Sequence, residues 1–372
     1  MPENVSLLLV GGNHTDTTLV QHLHQTMIDL HEKGVPVVLA VENSKGVDVD
    51  RMIRFAAQHA AELQVIAEGP IEGKTVGERV IEKAKEMGVE LKDPKPYFPR
   101  VLDFNESNFD PRIFPKEIID RAPTYQAQCE LYKFAKEQGI TLEGIDRTPE
   151  HIKELREKGL NLDGYDALEN LEPFRIETMS NNLVDLTERM SNGNGGVILT
   201  PDLGAGHVAS LKTALDEKVQ NPKVSVQAIS SQQEGLGTQS IEWAMKSSAR
   251  SIRDMAGTYE GLEINSKGCL MTEEYLKNLS KQTIINIEGH KIPIIPSNDI
   301  HSHLGTLLKD KLTLQQENVR QVDDHQSGTK VEVKDDSNHG FRPGSVGSEI
   351  MAKGGVVRTQ TGEKERQGHG YY

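Results

Sequence analysis

Val5-Ser6-Leu7-Leu8-Leu9-Val10-Gly11-Gly12-Asn13-His14 decides the fold class of this chain: an apolar run that stops at two glycines and a histidine. A short continuous apolar run has the form of a parallel strand covered on both faces, not of an alternating surface strand. The same grammar returns at Gly196-Val197-Ile198-Leu199-Thr200-Pro201-Asp202-Leu203-Gly204-Ala205-Gly206-His207. With 33 Gly and 13 His in 372 residues, about one Gly-x-x-His arises by chance. The weight therefore lies on position, since both motifs closely follow a buried-type strand. Such a strand end places an imidazole at the C-terminal edge, where open α/β sheets bind ligands.

Working outward, strands are expected at residues 5–10, 36–41, 63–67, 140–145, 196–200 and 224–229. Helical patterns fall between them, at 15–33, 49–63, 75–87, 116–138, 149–158, 168–190 and 208–219. Thr15 and Asp16 offer a cap for the first, Gly34 ends it, and Pro123 should kink or restart the helix it falls in. Strand and helix in alternation predict an α/β fold with a mainly parallel central sheet flanked by helices. Residues 92–112 hold Pro94, Pro96, Pro99 and Pro111 and read as a long loop, a candidate flap over a site. A helix is expected at 241–255. Residues 283–287 and 291–295, joined across Glu288-Gly289-His290, read as a late β-hairpin at one sheet edge, where Pro293 is tolerated best. From about residue 315 charges, Gly, Ser and Gln dominate. The expected division is an α/β domain over 1–314, with its motif core at 5–215, and a polar, disordered tail over 315–372.

The formal net charge is −14 and the aromatic content 5%. An acidic chain of this kind disfavours general binding to nucleic acid or to anionic membranes. Cys129 and Cys269 lie far apart and form neither a disulfide framework nor a zinc ribbon; both read as buried free thiols. No stretch is long and apolar enough for a membrane span, and the start carries no basic region of a signal peptide. A cytoplasmic protein is expected, with export by a dedicated machine left open.

The chemistry-bearing residues fall at strand ends: His14 with Asp16 beyond it, then Glu42, then Asp146 and Arg147, then Asp202 and His207. Parallel strands bring these to one crevice. Two imidazoles, a glutamate and an aspartate suit Zn²⁺ or Mn²⁺ in kind, and an ion there would supply hydroxide near neutral pH. Without an ion, the same set can do general-base catalysis through an imidazole oriented by a carboxylate. Asp146 has a second reading, as a cap for the helix that begins at Pro149. Gly204-Ala205-Gly206-His207 also opens a helix, whose N–H groups can hold a developing oxyanion. His22 and His24 lie two apart on a helix and point to different faces. His301-Ser302-His303 comes late and begins a helix, and His290, His325, His339 and His369 fall in a turn or in the tail.

These pieces together resemble the superfamily that joins TraB/PrgY and TIKI-type proteins with erythromycin esterases and ChaN-like haem-binding proteins. The resemblance rests on residues 9–14, 40–43, 143–146, 175–183 and 198–207. It spans a little over half the chain, with His, Glu, Asp, Arg and His in the family's order. It implies an α/β domain with its site at the strand C-termini and a hydrolase of amide or ester bonds acting on a small molecule or peptide. It makes His14, Glu42 and His207 metal-ligand candidates for Mn or Zn. His14, Glu42, Asp146, Arg175 and His207 become the catalytic set, with Arg175 as the anion binder. Haem binding without catalysis is the alternative the ChaN-like members imply. A third is a scaffold whose tail binds a protein partner. Gly12 stands where esterase and ChaN-like members tend to carry Glu, so the resemblance leans toward the Gly-x-x-His branch.

Overall fold

A computed structural model describes residues 4–97, 102–114, 116–160, 165–233, 262–265, 268–271, 284–287 and 290–311. The first strand, β1 (Val5–Gly12), is buried along its whole length. Its side chains alternate between two cores. Leu8 and Val10 join one cluster, and Val5, Leu7 and Leu9 the other. This is the period of two that a strand imposes, and two covered faces are why the run is continuously apolar.

Helix α1 (Thr17–Glu32) follows, capped by Asp16, whose side chain accepts from Leu19 N–H. Next come β2 (Val37–Ser44), α2 (Val49–Glu68) and α3 (Val76–Glu86). After them lie a short α4 (Lys116–Ile119), α5 (Ala122–Glu137), β3 (Thr141–Asp146) and α6 (Pro149–Glu157). The core then closes with α7 (Tyr165–Asn192), β4 (Gly196–Leu199), the two-residue β5 (Leu203–Gly204), α8 (Ala205–Lys218) and β6 (Val224–Gln232). The last elements are the pair β7 (Leu262–Asn265) and β8 (Gly268–Met271), the hairpin β9 (Ile284–Ile287) and β10 (His290–Pro296), and α9 (Ile300–Leu307).

The main sheet runs β3-β2-β4-β1-β6-β10-β9, with β5 pairing β1. Every pairing in it is parallel except β9 with β10, so the α/β fold with a mainly parallel sheet stands. The hairpin lies at the sheet edge as expected. Pairing of β10 with β6 begins only at Ile294, so Pro293, which has no N–H to give, falls just short of that ladder.

Strand order positions the site. Helix α1, which leaves β1, packs into the cluster on one face, and α8, which follows β4, packs into the cluster on the other. β1 and β4 are neighbours. Adjacent strands whose connections depart to opposite faces open a crevice at their carboxyl ends, the switch point where such sheets bind ligands.

Three expectations are corrected or extended. Residues 63–67 are not a strand but the last turns of α2, where Leu63, Val65 and Ile66 are fully buried. A short apolar run cannot be told from a buried helix by periodicity, and here the run continues the stripe of Met52, Ala56, Ala57, Ala60 and Ala61. The pattern at 116–138 resolves into α4 and α5, with Pro123 in the first turn of α5, where its missing N–H costs nothing. The β7–β8 pair was not foreseen. The helix expected at 241–255 and the tail beyond 315 lie outside the described residues. The described residues all belong to one compact unit, Met1–Glu317.

Candidate functional site

The strand ends are shaped by close backbone approach. A Cβ on Gly11 would lie 2.1 Å from Val208 Cγ2, and one on Gly12 would lie 2.2 Å from Leu19 Cδ2. Helices α8 and α1 therefore press directly on the end of β1. Asp16 N–H donates to Asn13 O at 2.8 Å and Thr15 N–H to Asn13 Oδ1 at 3.2 Å. This turn carries His14 out over the edge.

Glu42 is aimed by a bulge. The register of β2 with β3 shifts between Val41 and Ser44, and a bulge re-aims the side chains in it. The bulged backbone presses on Gly144 so closely that a Cβ there would stand 2.0 Å from Ser44 O. Glu42 N–H donates to Asp202 Oδ1 at 2.9 Å. Its side-chain Oε2 accepts from Gly204 N–H at 3.0 Å. Its Oε1 accepts from Arg175 Nη2 and lies 3.4 Å from His207 Nε2.

Asp146, at the end of β3, accepts from Arg175 Nη2 at 2.8 Å and Nε at 3.1 Å. It does not cap α6. Thr148 does that, with a reciprocal bond to His151. Arg175 reaches down from α7, and its side chain is 13% exposed against 12% for Glu42 and 10% for Asp146. One guanidinium thus bridges two buried carboxylates, a charge-assisted arrangement that such desolvated acids need.

The two motif histidines meet at Gly204. From the point where a Cβ would stand on Gly204, His14 Nε2 is 3.4 Å away, His207 Cδ2 3.4 Å and Glu42 Oε2 3.7 Å. The structure therefore brings His14, Glu42 and His207 together, with Arg175 and Asp146 behind Glu42. Burial lowers the His14 pKa, and the charges of Arg121, His207 and Arg175 lower it further against the opposing pull of Glu42. At Glu42 burial works to raise the pKa, but the charge and hydrogen bond of His207, with Arg175 and His14 adding, hold it well below the ordinary carboxylate value.

Asp202 and Tyr132 complete the surround. Tyr132, buried on α5, donates its hydroxyl to Asp202 Oδ2 at 3.2 Å. Burial, with the Glu42 charge adding, pushes the Asp202 carboxyl up to about 7 from an ordinary value of 3.8. A group whose folded pKa is raised contributes stability that is full below the unfolded pKa and is lost as pH rises through the folded one. Asp202 therefore favours the native state below about pH 4 and loses that contribution by about pH 7. Asp202→Asn keeps the acceptor for Glu42 N–H without the charge. Its unfolding free energy in urea should exceed that of the parent by up to about 4 kcal/mol at pH 8 and match it near pH 4. A variant weaker than the parent at pH 8 would contradict this.

Tyr132 and Arg121 were missed in the sequence. The available signal was helical spacing: Arg121, Tyr125 and Tyr132 are four and seven apart, the separation of residues on one helix face. His24 and His301 have partners of their own. His24 packs edge-on against Phe134, and His301 Nε2 meets Asp29 Oδ2 at 2.8 Å. The described parts of the proline-rich loop are tied to α2 and α3. Tyr97 N–H reaches both Glu62 oxygens at 3.0 Å, and Gly77 N–H bonds Phe104 O at 3.0 Å.

The donor set does not fit a metal ion as it stands. One Glu42 oxygen is engaged by Arg175 and His207, the other by Gly204 N–H. Among the described residues no group of three or more His, Cys, Asp or Glu side chains is placed to hold an ion. A haem iron needs an imidazole nitrogen open to an apolar slot, whereas His207 is 4% exposed and turns Nε2 toward Glu42. No helix of the described residues is long and apolar enough to cross a membrane.

Fold and site together define an α/β protein with a carboxylate–imidazole–guanidinium cluster at its switch point. The chain matches no protein-family model, no curated protein and no solved structure.

Proposed function

We propose that this protein hydrolyses an ester or amide bond, with water activated by the imidazoles at Gly204 and not by a resident ion. The observation that carries the reading is the meeting of His14, Glu42 and His207 at one glycine. Gly204 has no side chain to block a substrate carbonyl from approaching the cluster. His14, kept neutral by burial, takes a proton from water as the oxygen attacks the carbonyl carbon. The proton then passes to the departing alcohol or amine as the C–O or C–N bond breaks, leaving a carboxylic acid. Glu42 fixes the orientation of His207; His207 and Arg175 keep Glu42 charged, and Arg175 holds it in place.

Helix α8 begins at Ala205 with no side-chain cap. The N–H groups of its first turn are the donors this reading assigns to the carbonyl oxygen as it gathers charge. The resemblance seen in the sequence supports the same reaction class.

The test is a panel of ester and amide probes given to purified protein with and without a strong chelator. His14→Ala and His207→Ala are run in parallel. Turnover that survives chelation and falls about 10²–10⁴-fold in each variant is the expected result. Turnover abolished by chelation and restored by Mn²⁺ or Zn²⁺ would replace this mechanism with the metal-assisted one. Turnover indifferent to both histidines would sink the site.

A further inference from the structure

Two guanidinium groups exert their charge on His14, those of Arg175 and Arg121. They are not equivalent. Arg175 is neutralised by Glu42 and Asp146. Arg121 makes no ion pair among the described residues. It lies near the Tyr125 hydroxyl, and its Nε is buried with no hydrogen-bond partner. A buried donor left unmatched in a native structure calls for an explanation.

The site's own acids are engaged elsewhere. Glu42 and Asp146 hold Arg175, and Asp202 holds Glu42 N–H and the Tyr132 hydroxyl. The position of Arg121 is fixed independently of any charge. It stands at the entry to α5, three residues before Thr124, whose hydroxyl bonds that of Thr17 at 3.0 Å. Thr17 lies three residues after His14, so this bond ties the start of α5 to the loop that carries the imidazole.

We propose that Arg121 is the substrate-recognition residue of this site, and that the bond hydrolysed lies next to an anionic group, a carboxylate or a phosphate, held by its guanidinium fork. Resting on the hydrolase reading, this names the substrate class for it. The fork of N–H donors matches two oxygens of either anion. The chain carries a formal charge of −14, so an anionic substrate is repelled from most of the surface, and a guanidinium with no ion-pair partner among the described residues, close enough to act on His14, offers it a place to dock.

The experiment has a binding arm and a turnover arm. In the first, succinate and inorganic phosphate are titrated separately into wild type, His207→Ala, Arg121→Gln and Arg121→Lys, and the melting temperature is followed. One or both anions should stabilise wild type and His207→Ala, stabilise Arg121→Lys less, and leave Arg121→Gln unmoved; which anion does so tells carboxylate from phosphate. In the second, 4-nitrophenyl hemisuccinate is compared with 4-nitrophenyl acetate. Arg121→Gln should lower kcat/KM for the anionic ester about 10–100-fold more than for the neutral one, chiefly through KM, and Arg121→Lys should recover part of that loss. Equal stabilisation of wild type and Arg121→Gln, no stabilisation of either, or an equal loss on both esters would overturn the proposal. Arg121-dependent anion binding without turnover would instead sink the hydrolase reading and leave this one standing.

Discussion

Arg175→Met should cost the native state about 3–5 kcal/mol at pH 7, because it removes from two buried carboxylates the cation that bridges them. Glu42 and Asp146 have side chains 12% and 10% exposed and share this one guanidinium. Methionine fills similar volume but supplies neither charge nor donors. The sign with pH follows from Glu42. A carboxyl held below its ordinary value contributes stability above the unfolded pKa, near 4.5 here, and loses it as pH falls through the folded one. The penalty should therefore be full at neutral pH and shrink as pH falls below about 4.5 and the Glu42 carboxylate takes up its proton. Arg175→Lys restores charge but not the fork that spans Glu42 and Asp146, and should recover only part of the loss. Urea unfolding at pH 7 and pH 4 measures all three proteins. A penalty under about 1 kcal/mol at pH 7, the size of a surface pair, would contradict the buried bridge.

Glu42→Gln should lower kcat/KM about 10²–10⁴-fold on whichever ester or amide the protein hydrolyses. The carboxylate meets three donors: Arg175 Nη2, Gly204 N–H and His207 Nε2. A carboxamide has one acceptor oxygen and an NH₂ that must face another donor. His207 then loses its orientation and Arg175 its partner. The pH profile separates this from general damage. His14 must be neutral to accept a proton, and its pKa is lowered, so the acid limb in wild type should fall below pH 6.5. If Glu42→Gln keeps its rate, or if the wild-type acid limb lies above pH 6.5, the roles given to Glu42 and His14 are wrong.

The sheet was legible in the sequence for a physical reason. Strands buried on both faces are apolar at every position, so β1 and β4 stand out without an alignment. The same property caused the error at 63–67, where a helix buried on nearly every side reads the same way. The site was legible as far as strand ends go. His14, Glu42, Asp146 and His207 sit where parallel strands stop, and parallel strands stop on one side. What the chain could not show is which groups touch. Arg175 finds Glu42 and Asp146 only because α7 packs across the end of β3, a tertiary contact with no local signature. Its partnership with both acids is also what leaves Glu42 poorly suited to an ion, which composition alone did not reveal. Asp202 lay in view at a strand end, but its bond to the Glu42 backbone depends on the bulge in β2. Arg121 and Tyr132 approach from a helix that the strand-end logic never consults.

The account stands on the meeting of the two imidazoles with Glu42 at Gly204. Histidine ring resonances in ¹⁵N-labelled protein, assigned by substitution and followed with pH in wild type and Glu42→Gln, test it directly. His14 should titrate below pH 6.5, and the His14 and His207 signals should both move in Glu42→Gln while those of His24 and His301 stay in place. A His14 that titrates at or above pH 6.5 and is untouched by the loss of the Glu42 charge would show that the three side chains do not share a site.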